Sequence, residues 1–148
     1  MDVLLRTRVP PEMLPVFLII LIPWVIWKAV KEIRFLLRAR HCTELIVGEV
    51  SSLAEVSRGR HGSRFAPSIK YRYTGRSGYE TTDFYEAEHT YPYSEYAVGM
   101  EVHLFIDPED GMNVYLAGEK QDALQAIVVN AVLLLILMLM AVLVLRGV

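Results

Sequence analysis

Hydrophobic and polar positions divide the chain into three blocks. Residues 124–145 carry no charge, and the strongly polar positions among them are Gln125, at the edge, and Asn130. Residues 13–27 form a shorter apolar run that contains Pro15 and Pro23. The stretch between is polar and charged. About 20 apolar residues, rising 1.5 Å each, cross a hydrocarbon core of roughly 30 Å, so residues 124–145 predict a transmembrane helix. A buried helix of a soluble protein is the competing explanation, but so small a polar block could not cover such a helix on all sides. The first run gives only some 22 Å of helix. Ala29 and Val30 complete it to residues 13–30 while Lys28 snorkels to the headgroups. Trp24 and Trp27 then belong to the aromatic belt at that interface. Proline is tolerated in a membrane helix because neighbouring groups re-satisfy the freed carbonyl. A cleaved signal peptide expects a basic start and a small-x-small site, and this run ends instead in Trp24, Trp27 and Lys28.

The helical period continues past the apolar run. Ile26, Val30, Ile33 and Leu37 repeat on one face, with Lys28, Lys31, Arg34 and Arg38 on another. Residues 31–42 therefore read as an amphipathic juxtamembrane helix, lying along anionic headgroups or standing as a stalk. The basic residues set orientation. Lys28, Lys31, Arg34, Arg38, Arg40 and Lys120 flank the middle block, against Arg6, Arg8 and Arg146 on the outer flanks. The positive-inside rule places the middle block in the cytoplasm and both termini on the opposite side.

Residues 43–118 change period from 3.6 to 2. Leu45, Val47, Val50, Leu53 and Val56 alternate imperfectly around Gly48, which suggests a bulge or bend. A Gly-, Arg- and Ser-rich loop is expected over residues 58–65. Ile69, Tyr71 and Tyr73 alternate with Lys70, Arg72 and Thr74, a half-buried strand. The Gly75-Arg76-Ser77-Gly78 turn leads into a strand over residues 79–86. Residues 91–98 have no clear period. Val102, Leu104 and Ile106 alternate again, and Asp107-Pro108-Glu109-Asp110-Gly111 is a turn before a last strand at 112–116. Five short strands with tight turns predict a small antiparallel sandwich or barrel. The expected fold class is α+β: residues 1–12 a tail, 119–123 a linker and 146–148 a C-terminal tail, with two transmembrane helices flanking the β domain.

Composition narrows the partners. The 148 residues carry a net charge of −2, which argues against a bulk nucleic-acid binder. A single cysteine, Cys42, excludes an intramolecular disulfide framework. Basic residues concentrate in the first half of the β block and acidic ones in the second, which favours cross-strand pairing. That leaves residues 58–64 as an exposed basic patch.

The first span ending in basic residues, Gly48-Glu49-Val50, and Ile69-Lys70-Tyr71-Arg72-Tyr73 with its glycine turns together resemble the bacterial domain-of-unknown-function 3592 family. The closing segment is similar as well: Tyr96-Ala97-Val98-Gly99-Met100-Glu101-Val102, then Phe105-Ile106-Asp107-Pro108, then a second span. In the family a further proline usually follows the Asp-Pro pair, where this chain has Glu109-Asp110-Gly111. The likeness covers nearly the whole chain in layout. It implies a membrane-anchored β domain of the bacterial inner membrane, and supplies no activity and no catalytic residues.

Candidate chemistry is sparse. His41, His61, His89 and His103 do not form the His-Glu-x-x-His pattern that puts two ligands on one helix face. Glu86, Glu88, His89 and His103 are the set that a metal or hydrolytic site would need, but they fall on or near different strands. Cys42 follows His41, and neighbours in sequence point to different sides of a strand. Gly59-Arg60-His61-Gly62-Ser63-Arg64 lacks the strand-to-helix context of a phosphate loop. Asn130 is expected at a helix–helix contact, because a polar side chain in lipid turns toward a partner helix. The sequence thus predicts a non-enzymatic interaction or accessory module without cofactor, metal or small-molecule substrate, its partners being the lipid bilayer and a protein or a second copy. Arg58, Arg60, Arg64, Tyr91, Tyr93 and Tyr96 are the candidate binding surface, with Tyr79 and Tyr85 as further members of an exposed tyrosine patch. Trp24, Trp27, Lys28, Lys31, Arg34 and Arg38 are the candidate membrane-interface set. A membrane hydrolase and an oligomeric channel or transporter subunit are the alternative readings.

Overall fold

The computed structural model describes residues 13–146. The tail 1–12, with Arg6 and Arg8, and residues 147–148 lie outside the described residues. The chain forms a helix α1 (Met13–Ala39), strands β1 (Glu44–Gly59), β2 (Gly62–Thr74), β3 (Glu80–Glu86), β4 (Tyr91–Pro92), β5 (Glu101–Asp107) and β6 (Asp110–Leu116), and a helix α2 (Glu119–Leu145). It divides into two compact units, a helical one built from residues up to Ile33 and from Gln125 on, and a β domain, Arg34–Leu124.

In the helical unit Leu18, Val25 and Leu137 are buried, with Ile22, Leu134, Ala141 and Val144 packed on them. The spacings 18-22-25 and 134-137-141-144 alternate steps of three and four, which puts each set on one stripe of its helix. The remaining apolar surface points outward: Ile19 is 72% exposed and Leu135 73%. The stretches expected to be transmembrane and juxtamembrane form one continuous helix that runs through Pro23 and stops at Ala39, short of residue 42. α2 begins at Glu119, so residues 119–123 are its first turn and not a linker.

The β domain is one antiparallel sheet with strand order β3-β2-β1-β5-β6, and β4 pairs with β2. It is neither two packed sheets nor a closed barrel, because the outer strands β3 and β6 are not hydrogen-bonded to each other. One face carries the core: Val50, Ile69, Tyr71, Tyr85, Val102, Leu104, Ile106, Val114 and Leu116 are buried. Curling brings side chains of β2 across to β6. The Tyr71 hydroxyl donates to the Gly111 carbonyl (2.9 Å), and the Tyr73 ring lies where a Gly111 Cβ would stand. The last turn of α1 belongs to this core, through Phe35 and Ala39.

Two expectations about β1 need correction. Gly48 is not at a bulge, since its pairing with Tyr71 and Val102 is in regular register. It is needed because a Cβ would stand 2.7 Å from Ile69 Cγ2 and 2.9 Å from Leu104 Cδ1. The irregularities fall instead between Val50 and Ser52 and between Glu55 and Ser57. Each adds a residue to one strand and so inverts the alternation of side chains. Residues 58–65, whose glycine, arginine and serine content reads as a loop, form the end of a long β1–β2 hairpin, turned at Gly62 with φ of +106°. The turn at Gly75–Gly78 is as expected, closed by the Gly78 amide donating to the Gly75 carbonyl (3.0 Å).

Candidate functional site

The most constrained polar group of the β domain is Glu119, at the first position of α2 and fully buried. Its Oε2 accepts from the Tyr85 hydroxyl (2.6 Å) and the Leu116 amide (3.0 Å). Its Oε1 accepts from the amides of Glu88 (2.8 Å) and His89 (3.2 Å), with His89 Nδ1 at 3.3 Å. One carboxylate thereby joins β3, the segment after it, the end of β6 and the start of α2. Burial pushes its pKa up, but the bonds from His89, Tyr85 and the Leu116 amide outweigh burial and hold it below the ordinary 4.5. The Tyr85 hydroxyl is pushed up by burial and by the facing Glu119 charge. Around this knot the Phe35 ring meets His89 edge-on at 5.3 Å, Arg38 pairs with Glu88, and the Tyr91 hydroxyl donates to Asp122 (3.0 Å). An anion so fully engaged by fixed donors is suited to holding segments together, and poorly suited to exchanging a proton. By its sequence alone Glu119 falls in the expected linker 119–123. Its one available signal was an acid following Gly118 at the head of a long apolar run, where a helix N-terminus favours negative charge.

The candidate binding surface is only partly brought together. Tyr91 is 7% exposed and Tyr85 9%, so both are core residues and not members of an exposed patch. Their rings are apolar enough to fill the core while each hydroxyl finds a carboxylate. Tyr96 is half-buried with its ring edge-on to Tyr91 at 5.0 Å. Tyr93 and Tyr79 are exposed, and Tyr93 packs edge-on to Phe65. Arg58 is engaged by Glu55 (3.0 Å), which Ser63 also reaches (2.7 Å), and Arg64 donates to Thr90. Arg60 is exposed at the hairpin tip. Cross-strand charge pairing occurs as Arg72 with Glu80 (3.9 Å), and Arg76 meets Glu109 (3.0 Å).

Of the membrane-interface set, Lys28 lies 4.0 Å over the Trp24 ring, and Trp27, Lys31 and Arg34 are exposed. Arg38 is a domain residue: besides Glu88, its carbonyl accepts from Asn113 Nδ2 (3.2 Å). Asn130 lies one turn before Leu134 on the same stripe of α2 and is half-buried, without a side-chain hydrogen bond among the described residues. Glu86, His41, His61 and His103 are exposed on separate segments, while Glu88 and His89 meet at the Glu119 knot. Among the described residues no group of three or more His, Cys, Asp or Glu is placed to hold a metal ion. Cys42 is buried, its thiol 3.3 Å from the Asn113 carbonyl and pushed up to about 11 by burial and nearby Asp107. On the face of the sheet away from the core, Leu45, Val47 and Phe84 are exposed.

No family model, no curated protein and no solved structure matches the chain. Both helices are long and apolar enough to cross a membrane, and only 11% and 6% of their most apolar windows are buried.

Proposed function

We propose that this chain is a two-span integral membrane protein whose β domain is a non-enzymatic interaction or accessory module. The observation that carries the reading is the outward apolar surface of both long helices. The core helix of a soluble protein would be covered, whereas these expose isoleucine, leucine and valine along most of their length. Hydrocarbon is the solvent that such surfaces fit. The burial of Phe35 and Ala39 in the domain core also supports an uncleaved first helix. The basic flanks favour a cytoplasmic β domain with both termini on the opposite side. Placement in the bacterial inner membrane, and kinship with the domain-of-unknown-function 3592 proteins, rest on the motif resemblance alone.

The non-enzymatic reading is supported by the consumption of the domain's polar groups in structure. Glu119, His89, Glu88 and Tyr85 hold the fold to each other, and the exposed Arg60 and Tyr93 are left as surface that a protein partner or a second copy contacts. Nucleic acid, cofactor and small-molecule substrate have no place in it. Alkaline extraction of membranes tests the first claim: the protein stays with the membrane pellet, and release into the supernatant refutes insertion. Crosslinked capture from native membranes tests the second. The combination Arg60→Glu with Tyr93→Ala removes the specific partner band, and an unchanged band refutes the assignment of that surface.

A further inference from the structure

A groove of about 530 Å³ opens in the β domain where α2 begins. Its floor is the pair of rings Phe105 and Tyr115, stacked at 5.3 Å with 20° between their planes, beside Cys42. Its wall is the segment from Gly118 through Lys120 to Leu124, whose leucine is 49% exposed. No carboxylate lines it. The two acids of the same helical turn face elsewhere, Glu119 to Tyr85 and Asp122 to Tyr91. Lys120 is therefore the groove's formal charge, and it makes no ion pair among the described residues. A neighbouring opening, whose Glu44 adjoins the groove's Thr43, is lined by Glu44, Glu80, Asp107 and Glu109 together with Arg72.

We propose that this groove binds an anionic phospholipid of the surrounding bilayer, its phosphate at Lys120 and the upper part of its acyl chains over Phe105, Tyr115 and Leu124. The inference rests on the membrane reading above and adds a site to it. Leu124 is followed directly by the apolar segment of α2. Lys120 precedes that segment by about 7 Å of helix rise, the thickness of one headgroup layer. A cation beside an apolar floor matches the two ends of a phospholipid's polar–apolar boundary. A free fatty acid shares the apolar end but lacks the glycerol phosphate.

The test uses the full chain in nanodiscs of mixed phosphatidylglycerol and phosphatidylcholine, with retained lipid counted by native mass spectrometry. Phosphatidylglycerol is enriched on the parent protein, and Lys120→Gln lowers that enrichment about fivefold, the usual effect of one basic residue at an anionic surface. Gln121→Trp, which fills the groove from an exposed position, lowers retention of phosphatidylglycerol as well. Lys70→Gln, an exposed basic residue on β2, leaves it unchanged. An unaltered lipid ratio in Lys120→Gln overturns the site, as does an equal loss in Lys70→Gln or preferential retention of added oleate. Alkaline extraction of the same variants separates the two readings. Solubilised protein refutes the membrane reading itself, whereas inserted protein without headgroup preference refutes the groove alone.

Discussion

Replacing Glu119 by Gln is the perturbation that most directly probes how the β domain is held together. The side chain keeps its shape but loses its charge and one acceptor. The remaining oxygen can serve the Glu88 and His89 amides, while the new NH₂ faces the Tyr85 hydroxyl and the Leu116 amide. Tyr85 can turn to accept, but the Leu116 N–H cannot. A buried donor left without a partner costs about 1–3 kcal/mol, and the surviving bonds each fall from the charge-assisted range toward the neutral one. Relief of the buried charge offsets part of this, since desolvating an ion costs several kcal/mol. The net expectation is a loss of about 2–4 kcal/mol. For a domain of about 90 residues, whose whole stability is roughly 5–14 kcal/mol, that is a large fraction. It corresponds to a Tm lower by roughly 10–25 °C. The assay is a thermal melt of the detergent-solubilised chain, followed by near-ultraviolet circular dichroism of the core tyrosines. Tyr85→Phe alone should cost less, about 1.5–3 kcal/mol, and less again in the Glu119→Gln background, where the bond it removes is a neutral one from the amide to the hydroxyl and no longer charge-assisted. A Glu119→Gln protein that melts within a degree or two of the parent would refute the knot as a determinant of stability.

Three further outcomes follow from particular residues. The Glu119 carboxyl is held below 4.5, so the unfolded chain binds its proton first; this stabilisation is present above pH 4.5 and is lost as pH falls through the lower folded value. Melts between pH 7 and pH 3.5 should show a steeper decline in the parent than in Glu119→Gln, and parallel curves would count against it. Gly48→Ala places a methyl 2.7 Å from Ile69 and 3.0 Å from the Lys70 carbonyl, and should destabilise by about 1–3 kcal/mol in the same melt. A neutral or stabilising result would mean that the strand has room to shift. The Cys42 thiol, buried and raised to about 11, should react with iodoacetamide at pH 8 at least tenfold more slowly than a free thiol. Labelling at the free-thiol rate would place it at the surface.

The hydrophobic pattern by itself determined the two long helices, because length and the absence of charge are local properties of a sequence. It also determined the strand over Ile69 to Tyr73 and the turns at Gly75–Gly78 and Pro108–Glu109, where period two and turn chemistry are undisturbed. It could not reveal that residues 58–59 and 62–65 are strand on either side of a two-residue turn, since their glycine, arginine and serine content reads as loop. Nor could it distinguish Tyr91, buried over Asp122, from Tyr93 two positions on and exposed: both are tyrosines in an aperiodic segment, and only tertiary packing assigns one to the core. The Glu119 knot is the clearest case. Its donors come from positions 85, 88, 89 and 116, and a buried carboxylate is tolerable only when such distant groups converge on it. Convergence of that kind is decided by the three-dimensional path of the chain, which leaves no periodic trace in the sequence.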